Sequence, residues 1–314
     1  MDTATRTLDR LRESTNDLVW SLWSELGVSS WAPTRHARWG IELEPLIVLT
    51  GSLADIDVRL LNEVMDWCVT YDRYISLSQL RRGIALMHGG QPPPELCAFT
   101  ATVSQLGRRR WPLAAEGRPL RVTVSGKSAS PELAEPALYQ LRLRAIFGVS
   151  ARAEILRVLS LDSSALTVAQ IADRIAYTTR QVALDAETLM ASGIVHREQG
   201  PGPARYALSD PSSLTAFVGE RPAFSPRWTE PFTTLFHVIA SLETVASRDL
   251  RAPDVELWRL LRRAEERTAS LRVPQDLRQR PSLERLAAWA VTAADHLAAG
   301  DPTAFERTAG SSFV

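Results

Sequence analysis

Two short stretches carry side chains suited to holding a nucleic acid. Thr179, Arg180, Gln181 and Leu184 fall early in a helical pattern whose inward positions are Val182, Ala186 and Leu189. Arg and Gln there could meet base edges or phosphates, although Gln181 equally suits a helix-capping role. His196, Arg197 and Arg205 follow in a strand–turn–strand pattern. From that position Arg197 and Arg205 could contact phosphates across a minor groove; a solvated strand face is the plain alternative. Asp185 falls on the outward side of the same helix, where it would repel phosphates, and Glu187 adds a second acid. A local excess of cations stands apart. Arg108, Arg109, Arg110, Arg118 and Arg121 face only Glu116, which suits either a clamp on a nucleic-acid backbone or a solvated loop.

Catalytic patterns are weaker. Gly51-Ser52 with Asp55 and Asp57 faintly resembles the Gly-Ser turn and paired metal-binding carboxylates of nucleotidyltransferases. The separation is too short to return a helix cap to a strand, so helix N-terminal acids are the expected reading. Gly126-Lys127-Ser128 would need a glycine five residues earlier to form a phosphate loop, and that position is Arg121. His36, His88, His196, His237 and His296 are scattered without helical ligand spacing, so no metal site and no cofactor are expected. No nucleophile elbow or Cys–His signature is present, and the chain is not expected to be an enzyme.

The elements around the first two stretches are legible. Ser150 is placed to cap a helix holding Ile155, Leu156, Val158 and Leu159. Thr167 opens a capping box with Gln170, and Thr178 opens another with Gln181. Ile171, Ala172 and Ile175 line the first of these helices, and small Ala172 permits a close crossing with the second. Gly193 stops that second helix. Ile194–Glu198 then alternates as a strand, Gly200–Pro203 turns, and Arg205–Leu208 returns. Helix, helix, helix and hairpin in this order make a winged helix-turn-helix, whose last helix can enter a major groove.

Over residues 145–210 the chain resembles bacterial winged-helix regulators of the ArsR and MarR type. The stretches that carry the resemblance are FGVSARAEILRVL, TVAQIADRIAYTTRQVALDAETLMASGIV and HREQGPGPARYALSD. It implies a DNA-binding transcription regulator that binds double-stranded DNA. It departs from the family pattern at Ala176, where the turn often carries glycine, and in offering one cation, Arg180, on the second helix. The metal-sensing Cys and His clusters of the ArsR class are missing from this stretch, so no metal site carries over. Winged helices also bind proteins, and the chain is somewhat like the winged-helix antitoxins that accompany nucleotidyltransferase toxins; a partner-binding module is the alternative.

The whole chain is expected to be mostly α and multi-domain. A Trp-rich, mainly helical segment (1–127), the winged helix (137–218) and a helical segment (226–314) are joined by stretches rich in Pro, Gly and Ser. The first segment offers a short helix over 17–26, an apolar run over 45–50, helical spacing from Ser52 to Cys68, a Ser76- or Ser78-capped helix and a strand over 120–124. The tryptophans read as core. Three amphipathic helices are expected over 229–247, 254–272 and 282–299. The stripe Phe232, Leu235, Phe236, Ile239 and Leu242 is broader than one helix needs, which suggests a homodimer contact.

Composition sets the outer bounds. The 314 residues are 45% apolar and 23% charged, with 36 basic groups against 36 acidic ones. The balance holds in every segment, which argues against a strongly basic module. Two cysteines are too few for a disulfide framework, and the polar start and short apolar runs suggest neither a signal peptide nor a membrane span. A cytoplasmic location is the expectation.

Overall fold

A computed structural model describes residues 3–28, 39–53, 57–122, 126, 128–198, 200, 202–248, 252–268, 270–279 and 282–300. The chain is mostly helical, with one small antiparallel sheet. None of the described helices is long and apolar enough to cross a membrane.

The largest core takes helices from both ends of the sequence. α1 (Thr3–Glu25), α2 (Leu43–Ser52), α3 (Val58–Thr70), α4 (Leu77–His88) and α5 (Pro94–Leu106) come from the N-terminal side. The residues 43–52 have no polar stripe because α2 is the central helix: Leu43 and Leu46 to Leu49 are fully buried. Helices from the C-terminal side of the sequence complete the same hydrophobic cluster.

Several tryptophans are packed in this core with their indole N–H groups satisfied, whereas the indole N–H of buried Trp258 has no hydrogen-bond partner among the described residues. Trp23 donates to Thr50 Oγ1 (2.9 Å), Trp67 to the Leu26 carbonyl (2.7 Å) and Trp228 to the Gly40 carbonyl (2.6 Å). An acceptor for the buried indole N–H offsets the loss of its bond to water, which adds to the gain from burying so large a ring. Trp39 and Trp228 also meet edge to face at 6.0 Å.

Several local expectations change. The short helix over 17–26 is the end of the much longer α1, which Gly27 terminates at φ 92°. A side chain at Gly27 would also strike the Ala129 carbonyl, to whose amide Gly27 accepts a hydrogen bond. Helical spacing from Ser52 spans a break, since α3 restarts behind Asp57. Residues 120–122 are not strand, and 123 and 124 lie outside the described residues. Pro93 and Pro94 open α5, because proline is well suited to a first helical turn. Within the 125–136 stretch Gly126 and Ser128 are tied down: Asp66 accepts from the amides of Gly126 (2.6 Å) and Ser128 (3.2 Å) and from the Ser128 hydroxyl (2.6 Å).

Residues 139–218 build a second, smaller core. It contains α6 (Tyr139–Phe147), α7 (Ala151–Leu161), β1 (Leu166–Thr167), α8 (Val168–Ile175), α9 (Thr179–Ala191), β2 (Val195–Glu198), β3 (Arg205–Leu208) and α10 (Pro211–Val218). The sheet order is β1–β3–β2, all antiparallel. α6 joins the two cores, because Leu141 packs into the first and Tyr139 and Leu143 into the second.

α11 (Thr229–Ala246), α12 (Pro253–Arg267), α13 (Gln275–Gln279) and α14 (Leu283–Ala298) return the chain to the first core. α14 lies along α1, and α11 contacts α1, α2 and α4. The apolar stripe of α11 is therefore used within the chain: Phe232, Leu235, Ile239 and Leu242 are buried and Phe236 is partly buried against the same cluster. That breadth, read as a dimer contact, serves a helix in contact with several neighbours.

Ionic contacts lock the two cores together. Arg144 on α6 is fully buried and donates to Glu44 on α2 (2.6 and 3.0 Å), Glu154 on α7 (2.8 Å), Gln79 on α4 (2.8 Å) and the Tyr74 carbonyl (2.6 Å). Arg157 on α7 bridges Glu154 (2.9 Å) and Glu42 (2.9 Å). Burial alone would raise the Glu154 pKa, yet Arg144 and Arg157 pull it down to about 2. For Arg144, burial works against the charge and the two carboxylates more than offset it, so its pKa lies above the ordinary value.

Candidate nucleic-acid interface

Helices α7, α8 and α9 of the second core begin where the sequence signals place them. Ser150 caps α7, its hydroxyl accepting from the Ala153 amide. Thr167 and Gln170 form a complete capping box on α8, at 3.2 and 2.9 Å. Thr178 caps α9 by accepting from the Gln181 amide at 3.2 Å, but the reciprocal half of that box is not made. Gln181 Nε2 instead donates to Asp185 at 2.7 Å, a helical i,i+4 contact.

Between α8 and α9 the chain turns through Ala176 at φ 59° and ψ 34°. This is the left-handed conformation that glycine adopts freely and alanine at a cost of about 1–2 kcal/mol. The turn lets Ala172 and Ile175 of α8 meet Val182 and Ala186 of α9, all buried. α9 ends in a Schellman arrangement: the Gly193 amide donates to the Met190 carbonyl and the Ile194 amide to the Leu189 carbonyl, with Gly193 at φ 75°.

The outward side of α9 presents Thr179, Arg180, Gln181 and Leu184 to solvent, with Leu184 53% exposed. Asp185 is a correction to the sequence reading. It is only 7% exposed and does not stand on the outward face. Its Oδ1 accepts from Arg152 Nε on α7 at 3.0 Å, and its Oδ2 from Gln181. Arg152 itself was not singled out in the sequence. It lies 28 residues before Arg180, and only the α7–α9 crossing brings it beside that helix. Its side chain is half exposed, so it adds a cation to this surface and balances Asp185.

The hairpin places the remaining residues. Val195 pairs with Leu208, His196 with Ala207, Arg197 with Tyr206 and Glu198 with Arg205. Paired residues share a face of an antiparallel ribbon. Arg197 is therefore on the face of Tyr206 and Leu208, beyond the buried end, while His196 and Arg205 share the opposite face with Glu198. All three are exposed. Arg205 also donates to the Ala165 carbonyl at 3.1 Å, which fixes it beside β1.

The 108–121 cations divide. Arg109 donates to the carbonyls of Asp72 (2.8 Å) and Ile75 (2.9 Å) and so holds the turn before α4, whereas Arg108, Arg110, Arg118 and Arg121 are exposed. They belong to the first core and not to the unit that carries α9.

The other patterns resolve into packing. Gly51 and Ser52 are buried in α2, and Asp57 caps α3 while accepting from Trp20 Nε1 at 2.7 Å. Asp55, Lys127 and His36 lie outside the described residues. His88 and His237, 149 residues apart, come within 6.5 Å between ring centres. His88 contacts Ser52 Oγ (2.9 Å) and His237 the Met87 carbonyl (2.8 Å). Burial, and next the neighbouring His237, push the His88 pKa down to about 3, so this pair is neutral and structural near pH 7. Among the described residues no group of three or more His, Cys, Asp or Glu side chains is gathered to hold a metal.

Comparison of the chain with protein-family models, with curated proteins and with solved structures gives no match.

Proposed function

We propose that the protein is a DNA-binding transcription regulator of the cytoplasm, in which residues 137–218 act as a winged helix-turn-helix. The observation that carries this is the solvent-facing first turn of α9, Thr179, Arg180 and Gln181, on a helix whose one inward-leaning acid is neutralised by Arg152. In this reading α9 enters the major groove, Arg180 meets a base edge or phosphate, and Arg152, His196, Arg197 and Arg205 contact the backbone on either side. Binding as a homodimer follows from the small number of bases one such helix can read. The α11 stripe is not available for that contact, so it would fall elsewhere on the surface.

Footprinting on the DNA upstream of the protein's own coding region tests the reading. A protected segment that disappears with Arg180→Ala, while the variant keeps its melting temperature, is the expected result.

One observation favours the alternative, a module that binds a partner protein such as a nucleotidyltransferase toxin. Leu184, a large apolar side chain, stands exposed in the middle of the α9 face. A protein that co-purifies with the wild type and is lost with Leu184→Asp, together with no footprint, would establish that reading instead.

A further inference from the structure

A cleft of about 600 Å³ lies where the two cores meet. α2, α4 and α7 form part of its wall, the 224–227 loop and the start of α11 another part, and Asp173 to Ala176, the end of α8 and the turn before α9, a third. Its size suits a small molecule.

Most charges at its edge are matched inside the protein. Arg174 pairs with Asp162 and Arg272 with Glu230. Three features are left over. The buried network holds three carboxylates, Glu42, Glu44 and Glu154, against two guanidinium groups, Arg144 and Arg157, so one carboxyl is in formal excess, and burial raises the Glu42 pKa despite Arg157 beside it. Glu42, the most exposed of the three, lies at the cleft. Arg227, in the loop, also lies at the cleft, exposed and without an ion pair closer than 4.0 Å among the described residues, although its charge also acts on Glu230, which Arg272 already pairs. Gln79 is only 8% exposed, and its Oε1 is taken by Arg144, yet its Nε2 has no hydrogen-bond partner. A buried amide donor left in this state is costly unless an acceptor arrives.

We infer that the cleft binds a small zwitterion of free amino-acid chemistry. Its ammonium would meet Glu42, its carboxylate would be taken by Arg227 and Gln79 Nε2, and its side chain would lie against the apolar lining at Leu86, Val158, Leu161 and Phe224. The same cleft is lined both by the first core and by the turn that sets α8 against α9. Occupancy would therefore shift the angle at which α9 is presented, and the molecule would act as an effector of DNA binding. This effector role rests on the DNA-binding reading; the site itself does not.

The full chain is titrated, without DNA, with each proteinogenic L-amino acid at millimolar concentration, and thermal unfolding and binding heat are read. At least one should raise the melting temperature in a concentration-dependent way. The matching amine without the carboxylate, and the matching acid without the ammonium, should each bind at least about tenfold more weakly. Arg227→Ala, an exposed position, and Glu42→Gln should each cost about tenfold or more in affinity. No response to any amino acid, a response unchanged in both variants, or equal binding of the amine or acid alone would overturn the proposal. The same amino acid is then added to the upstream duplex with the protein. Amino-acid binding in a protein that ignores the duplex would keep the site and remove the DNA-binding reading.

Discussion

Replacing Arg144 by Met removes the guanidinium but keeps much of its volume. In the native protein this group satisfies Glu44, Glu154, Gln79 and the Tyr74 carbonyl, with every partner buried or nearly so. Its removal leaves two buried carboxylates, of which Glu154 retains Arg157 and Glu44 loses its only salt bridge among the described residues. Breaking a buried pair on one side costs about 3–5 kcal/mol, because a charge remains without compensation. At roughly 2–4 °C per kcal/mol, the melting temperature at pH 7 should fall by about 6–20 °C. The deficit should depend on pH with a defined sign. In the folded variant, burial without Arg144 favours the neutral form of these carboxyls over the charged form. The folded variant then gains protons that its unfolded chain does not bind as pH falls towards 4.5, and it gains stability relative to the unfolded state. Wild-type Glu154, held near 2, behaves in the opposite way, losing its contribution as pH falls from 4.5 through 2. The gap between the two proteins should therefore narrow from pH 7 to pH 5. Adding Glu44→Gln and Glu154→Gln to Arg144→Met should recover at least half of the loss. Thermal unfolding followed by circular dichroism decides the matter. A fall of less than about 2 °C, or one equal at both pH values, would refute the picture of Arg144 as the lock between the cores.

Two other predictions concern single sites. Ala176→Gly relieves the left-handed strain at the α8–α9 turn, at φ 59°, against the added flexibility of glycine in the unfolded chain. A net gain of about 0.5 kcal/mol, or 1–2 °C, is expected in thermal unfolding, and a loss would mean the turn is not strained. The buried His88 has its folded-state pKa lowered to about 3 from 6.5, so its stabilising contribution is present above pH 6.5 and is lost as pH falls towards 3. A gap of that size amounts to about 4–5 kcal/mol in all. The stability of the wild type relative to His88→Leu, by urea unfolding, should fall steadily from pH 7 to pH 4, and a constant difference would contradict this.

The second core was legible in the sequence because its signals are local. The caps at Ser150, Thr167 and Thr178, the stop at Gly193 and the alternation over 195–198 act within a few residues of the elements that they set. The first core was not legible as one body. α1 and α14 pair across more than 250 residues, and neither sequence shows which helix it will meet. α2 lacked a period because it is buried on every side, and the wide stripe of α11 has the same appearance whether it covers a dimer contact or an internal one. At the candidate interface, the outward positions Thr179, Arg180, Gln181 and Leu184 follow from the helical period alone. Asp185 sits at the edge of that period, and its burial depends on Arg152 reaching across from another helix. Arg197 and Arg205 read as equivalent wing cations, but the strand register sends them to opposite faces.

The most direct test of DNA binding through α9 is fluorescence anisotropy of the full chain on its upstream duplex and on a scrambled duplex, over a salt series. Arg180→Ala should weaken the native duplex by about 1–3 kcal/mol and bring it close to the scrambled one, while Arg197→Ala should weaken both alike and lower the salt slope by about 1. Absence of salt-dependent binding by the intact chain, or binding that neither substitution changes, would contradict the account.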